Sequence, residues 1–173
     1  DVSASAEAQF RGWATGHRPA LRRTAFLLCG DWLLADDLGQ DALVRIFDAW
    51  PRLSAAPDLT RYSRRVLVNL YLDHRRRPSR RETPAADIPD ATVPSSDPGT
   101  RDVLLQALRR VPKGQRAVLV LRFFEDFSVE QTAEVLRTST GNVKSQTSRG
   151  LVALRQALAD LGMHDAFDLQ EQP

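Results

Sequence analysis

The chain has a single cysteine, a single methionine and only two lysines among 173 residues. Cys29 alone excludes an internal disulfide and denies a structural zinc site its usual thiolates. It sits in the apolar run Ala25–Cys29, where a small buried residue is the expected role. No apolar run approaches the ~20 residues of a membrane-spanning helix, so membrane insertion is not expected. The three histidines, His17, His74 and His164, lie far apart without ligand spacing, and no glycine-rich phosphate loop is present. These absences argue against an enzyme and against a metal or other cofactor. No signal-peptide pattern opens the chain, and its first residue is Asp1 rather than Met, which points to a trimmed start and a cytoplasmic protein. Also missing is any period-two alternation of strand quality.

What the chain does have is arginine, 22 of its 24 basic residues. Net charge is +2, but the charges are segregated. Residues 31–48 hold five acids (Asp31, Asp36, Asp37, Asp41, Asp48) against Arg45 alone. Residues 61–81 hold eight arginines against Asp73 alone. Two oppositely charged surfaces in succession imply two different macromolecular partners.

A stretch from Glu82 to Thr100 carries four of the ten prolines, no base and almost no large apolar residue. Such a composition cannot bury enough surface to offset its ordering entropy, so a flexible linker is predicted. Helical periodicity flanks it. Helices are predicted at about 6–15, 19–29 (with Pro19 near its start), 32–50 and 60–77, the last ended by Pro78. A loop, 52–59, lies between Pro51 and Pro57. Beyond the linker, helices are predicted at 101–111 and 113–124. The fold class is therefore all-α, two small helical domains joined by a linker: 1–79, linker 80–100, 101–161 and a tail 162–173.

The segment SVEQTAEVLRTSTGNVKSQTSR, residues 128–149, carries the sharpest signal. Ser128 and Gln131 have the spacing of a capping box. Ala133 is small where two crossing helices must approach. Thr138-Ser139 supplies a turn and a second N-cap. From Thr140 the periodicity restarts, with Val143, Thr147, Leu151, Leu154 and Leu158 on one face. Lys144, Ser145, Ser148 and Arg149 fall on the other, the chemistry of a helix laid in a major groove. This is the pattern of a helix-turn-helix.

The order and spacing of ADDLGQDALVRIFDAW (35–50), RRVLVNLYLDHRRR (64–77), LRRVPKGQRAVLVLRFFEDFSVEQTAEVL (108–136) and TGNVKSQTSRGLVALR (140–155) resemble the extracytoplasmic-function sigma factors of the sigma-70 superfamily. The opening RRTAFLLCGDWLLADDL (22–38) is similar to the actinobacterial SigE-like branch. Two departures stand out: Arg137 replaces the usual turn glycine, and Gln146 a usual arginine, the latter implying an altered promoter preference.

The resemblance implies a protein that directs core RNA polymerase to promoters and helps melt them. It implies docking of Asp36, Asp37, Leu38, Gln40, Asp41 and Phe47 on the clamp helices of the largest polymerase subunit. It implies Asn69 as a reader of an unstacked base at the minus-ten element, with Arg61, Arg64, Arg65, Arg75, Arg76 and Arg77 on phosphates and the loop 51–61 as a pocket rim. Asn142, Lys144, Ser145, Gln146, Ser148 and Arg149 would read the minus-thirty-five element. Val118, Leu119 and Phe123 have two roles open to them, contact with the polymerase flap or core packing. An anti-sigma protein is a further candidate partner. Two other readings stand beside this one, a stand-alone helix-turn-helix regulator and a helical adaptor. Neither gives a reason for an acidic helix followed by an arginine-rich one.

Overall fold

The computed structural model describes residues 2–53, 58–74 and 98–163, and among these there are helices and no strands. In the first half, α1 (Val2–Cys29), α2 (Trp32–Leu53) and α3 (Leu59–Asp73) pack on one another. The second half comprises α4 (Pro98–Arg110), α5 (Lys113–Leu119), a π-helical turn (Val120–Phe124), α6 (Val129–Leu136) and α7 (Thr140–Asp160). The predicted linker, apart from residues 98–100, lies outside the described residues, as do the tail from His164, Arg75, Arg76 and Arg77, and residues 54–57 of the predicted rim loop.

Several helix boundaries differ from the sequence expectation. Helix α3 closes at Asp73, with His74 as its C-cap and Lys113 Nζ donating to the carbonyls of Leu72 and His74, rather than running to 77. The helix expected over 113–124 divides into α5 and the π-helical turn. Instead of two helices with Pro19 at the second start, α1 runs unbroken through Pro19. Phe10 and Trp13, before the proline, pack on Trp50 of α2 at ring separations of 5.3 and 5.6 Å. Leu21, Ala25 and Leu28, after it, are buried. Both ends of α1 are thus anchored on the same core, and that burial outweighs the single backbone bond a proline removes. Likewise α2 continues past Pro51 to Leu53 rather than ending at Trp50, where the buried indole holds the last turns.

One apolar cluster joins the halves. Leu21, Leu28, Ile46 and Leu67 of the first half lie in it with Ala117, Val120, Leu121 and Val135 of the second. A separate small cluster, Val118, Ala133 and Val143, closes the crossing of α5, α6 and α7.

Candidate nucleic-acid and polymerase interface

Three surfaces were expected, and each is built differently. On α2, Asp31 is spent as the N-cap, its Oδ1 accepting from the backbone of Leu33 at 2.8 Å and of Leu34 at 3.3 Å. Asp36 is also occupied, by Arg22 Nε at 2.5 Å, and that guanidinium stacks 4.1 Å over Trp32. Asp37, Asp41 and Asp48 are exposed and form no ion pair among the described residues. Gln40 is exposed beside them, and Phe47 is 45% exposed. Leu38 does not join this face: it is 3% exposed, because it stands on the inward stripe with Ala35, Ala42 and Ile46. Sequence reasoning missed Leu33 and Val44, which are 74% and 60% exposed. Their spacing, 33, 37, 40, 44 and 47, is the helical period that would have found them. The outer face of α2 is therefore an acidic strip with apolar residues set into it.

On α3 the arginines are mostly engaged. Asp58 caps the helix by accepting from the backbone of Arg61 at 2.8 Å and pairs with the Arg61 side chain at 3.1 Å. Arg61 also reaches Glu134 of α6 at 2.9 Å. Arg64 is buried, its Nε 2.8 Å from Glu125, with side chains only 6% and 10% exposed. Glu125 also accepts from the Thr24 hydroxyl of α1. Arg65 and Asn69 are half-buried, and their spacing sets them together on the side of α3 away from Arg64.

The helix-turn-helix forms as its sequence prescribes. Ser128 Oγ accepts from Gln131 N at 3.0 Å, and Gln131 Oε1 accepts from Ser128 N at 2.9 Å, completing the capping box. Arg137 takes the left-handed conformation at φ 52°, so a non-glycine residue makes a turn for which glycine is the usual choice. Ser139 caps α7 through Asn142 N at 3.1 Å, and Asn142 Nδ2 donates to Thr138 Oγ1 at 2.9 Å. Asn142, Lys144, Ser148 and Arg149 are exposed, and Ser145 and Gln146 half-buried. The inner face brings a residue that the sequence reading passed over: a Cβ on Gly150 would lie 3.1 Å from Leu119 Cγ. The absent side chain lets α5 and α7 approach closely. Val118 and Leu119 are buried, whereas Phe123 is 56% exposed, so only Phe123 of that trio has surface to offer a partner.

Three titratable groups with displaced equilibria lie at the junction of the halves, while a fourth, Glu130 in the first turn of α6, is held below the usual carboxylate range by a backbone hydrogen bond and then by the Ser128 side chain. Burial pushes the Cys29 thiol up to about 11. Burial also raises the Tyr71 phenol and depresses Arg116. Arg116 holds three carbonyls, Leu28 at 2.8 Å, Arg109 at 2.6 Å and Val111 at 3.0 Å. His17 is bonded to the Trp13 carbonyl at 2.8 Å and stacks on its ring at 4.6 Å, a packing role.

Comparison with known proteins matches residues 13–81 to the family model described as Sigma-70 region 2, and residues 101–154 to that described as Sigma-70, region 4. The RNA polymerase sigma-E factor of Streptomyces avermitilis is 36% identical over 152 residues, spanning 87% of this chain and 85% of that protein. The ECF RNA polymerase sigma factor SigL of Mycobacterium tuberculosis is 31% identical over 172 residues, spanning 94% of this chain and 96% of that one. Among solved structures, the sigma factor RpoE of Bartonella quintana, crystallised with the anti-sigma factor NepR, superposes with a TM-score of 0.70 at 24% identity, covering 87% of this chain and 97% of that one.

Proposed function

Because the chain belongs to the extracytoplasmic-function sigma factors of the sigma-70 family, which direct core RNA polymerase to promoters, we propose a division of that work among its helices. It is not an enzyme; the polymerase supplies the chemistry. Residues 1–79 dock on the polymerase and act at the minus-ten element, residues 80–100 tether, and residues 101–161 read the minus-thirty-five element.

The outer face of α2, with Asp37, Gln40, Asp41 and Phe47, docks on the clamp helices of the largest polymerase subunit. Acids without an ion pair among the described residues repel one another, so a basic partner surface gives them their use. Leu33 and Val44 add apolar contact area to the same face. Arg65 and Asn69 act on the melted minus-ten strand. The Asn69 amide both donates and accepts, which suits a base edge once that base leaves the stack. The α7 face, Asn142 to Arg149, enters the major groove of the duplex at minus thirty-five. Phe123 is the candidate for the polymerase flap. An anti-sigma protein is a further partner in this reading, and the place of work is the cytoplasm, where polymerase and chromosome meet.

The observation that carries the docking assignment is the exposed acidic and apolar strip on α2. Its test is charge reversal, Asp37→Lys with Asp41→Lys. Core polymerase should lose the variant on gel filtration, and promoter DNA should then not be retarded by the mixture. Both positions are exposed, so stability should stay within ~0.5 kcal/mol per site. Full polymerase affinity in the folded double variant would remove α2 from the account.

A further inference from the structure

Helix α6 ends in a way that constrains the residue after it. Thr138 N donates to Ala133 O at 3.0 Å and Arg137 N to Glu134 O at 3.3 Å, the crossed pair of bonds of a Schellman close. That pair requires a left-handed residue at 137, and Arg137 stands there at φ 52° and ψ 49°. Glycine suits such a position because it has no Cβ to meet the backbone, whereas an arginine is strained in it. Among the described residues one other non-glycine has a positive φ, Asp126 at 54°. Aspartate tolerates this region, because its short polar group can bond locally. Arginine has no such relief.

Nothing else in the fold offsets the strain. Arg137 is exposed, and its side chain forms no hydrogen bond or ion pair among the described residues. The nearest acid in sequence, Glu134, turns to Arg61 at 2.9 Å instead. A strained residue whose side chain does nothing for the folded chain points to a ligand.

Its place says which ligand. Arg137 lies two residues before Ser139, the N-cap of α7. In a helix-turn-helix that end of the second helix goes to the base edges, while the helix before it crosses the DNA backbone. A cation at the corner between them meets phosphates, and a guanidinium offers paired donors to phosphate oxygens. We propose that Arg137 clamps a backbone phosphate beside the minus-thirty-five element, and so fixes the register at which α7 lies in the groove. The inference rests on the assignment of α7 to that duplex. It adds a third cation to Lys144 and Arg149, set on the turn rather than on the helix.

Arginine at 137 thus works against the fold and for the complex, so replacing it should move stability and affinity in opposite directions. Arg137→Gly should raise the thermal midpoint of the full chain by about 1–4 °C, because relief of the left-handed strain exceeds the freedom glycine gives the unfolded chain. The same variant, bound to core polymerase on a promoter duplex held closed by low temperature, should bind about three- to fivefold more weakly at low salt. The slope of log affinity against log salt should flatten by about one. Promoters that differ in their minus-thirty-five sequence should show the same loss, since a phosphate carries no base identity. Arg137→Asn, which also tolerates the left-handed region, should repeat the loss of affinity and be no less stable than the native chain. Arg137→Lys keeps the charge and should keep the slope.

Unchanged affinity and salt slope in both uncharged variants overturn the clamp and leave Arg137 a solvated residue. A loss confined to one minus-thirty-five sequence also overturns it, because the arginine would then be reading a base. So does a lowered thermal midpoint in both, which would mean that the arginine holds the turn. Lys144→Ala with Arg149→Ala, measured beside them, separates this failure from that of the underlying assignment. If losing those two cations also leaves the closed complex unchanged, α7 does not lie on the duplex. If it weakens the complex while the Arg137 variants do not, the clamp alone fails.

Discussion

The two helices assigned to promoter DNA present their cations under opposite conditions. On α7, Lys144 and Arg149 stand exposed and form no ion pair among the described residues. On α3, Arg61 and Arg64 are taken up by Asp58, Glu134 and Glu125. The difference follows from position. Helix α7 packs on α4, α5 and α6 through one stripe, Val143 through Leu158, and leaves the face of Lys144, Ser148 and Arg149 exposed. Helix α3 is covered by α1 and α2 on one side and by α6 on another, so its side chains meet partners in most directions. A row of arginines in a sequence thus states an affinity for anions, whereas the tertiary fold decides which anions are at hand.

The comparison breaks most readily at Leu121, which is fully buried in the cluster shared by both halves. Leu121→Ala should cost ~2–5 kcal/mol, the usual range for an emptied core site. Because the cluster is shared, near-ultraviolet and far-ultraviolet dichroism should report one common, lowered thermal transition. Two separate transitions, with only one displaced, would show that α3 and α7 belong to independently melting bodies.

A smaller effect is expected at Gly150, where α7 meets α5. Gly150→Val places a branched side chain against Leu119 and should destabilise by ~1–3 kcal/mol in thermal melts. Minus-thirty-five binding should fall with it, since the inner contact sets the angle of the outer face. Undiminished stability would mean that the close approach of α5 and α7 is unnecessary.

The smallest effect concerns the junction of the halves. The folded-state pKa of Cys29, about 11, stands above its ordinary value of 9.0 because burial disfavours the thiolate. Folding therefore holds the proton more tightly than the unfolded chain does. The resulting stability is fully present below pH 9 and is lost as pH rises toward 11. The difference in melting temperature between the native chain and Cys29→Ala should be constant up to about pH 9 and change only above it. A change near neutral pH would mean that the thiol is not buried at this junction.

Legibility in the sequence tracked the range of each interaction. The helix-turn-helix was readable to the residue, because Ser128, Gln131 and Ser139 act on backbone groups three residues away. The outer face of α2 was readable for its acids, but Asp36 was already claimed by Arg22 from fourteen positions upstream. Pro19 misled because a local rule about helix starts was overridden by aromatic packing at the far end of α1. The Arg64–Glu125 pair, with Thr24 a hundred residues from that carboxylate, had no signal in periodicity or spacing. Gly150 was hidden for a related reason: in a helical pattern it is a gap, and only the partner helix shows what the gap admits.

The central claim is that α7 acts on the duplex and α3 on the melted strand. Permanganate footprinting of a promoter bound by core polymerase with this chain tests it directly, comparing Arg149→Ala with Asn69→Ala. Arg149→Ala should weaken the closed complex by ~1–3 kcal/mol if it reads a base, with thymine reactivity at minus ten falling only as occupancy falls. Asn69→Ala should leave closed-complex affinity nearly intact while thymine reactivity at minus ten drops, and a pre-melted bubble should restore only part of it. Normal reactivity with Asn69→Ala would contradict the account and return that asparagine to a structural role.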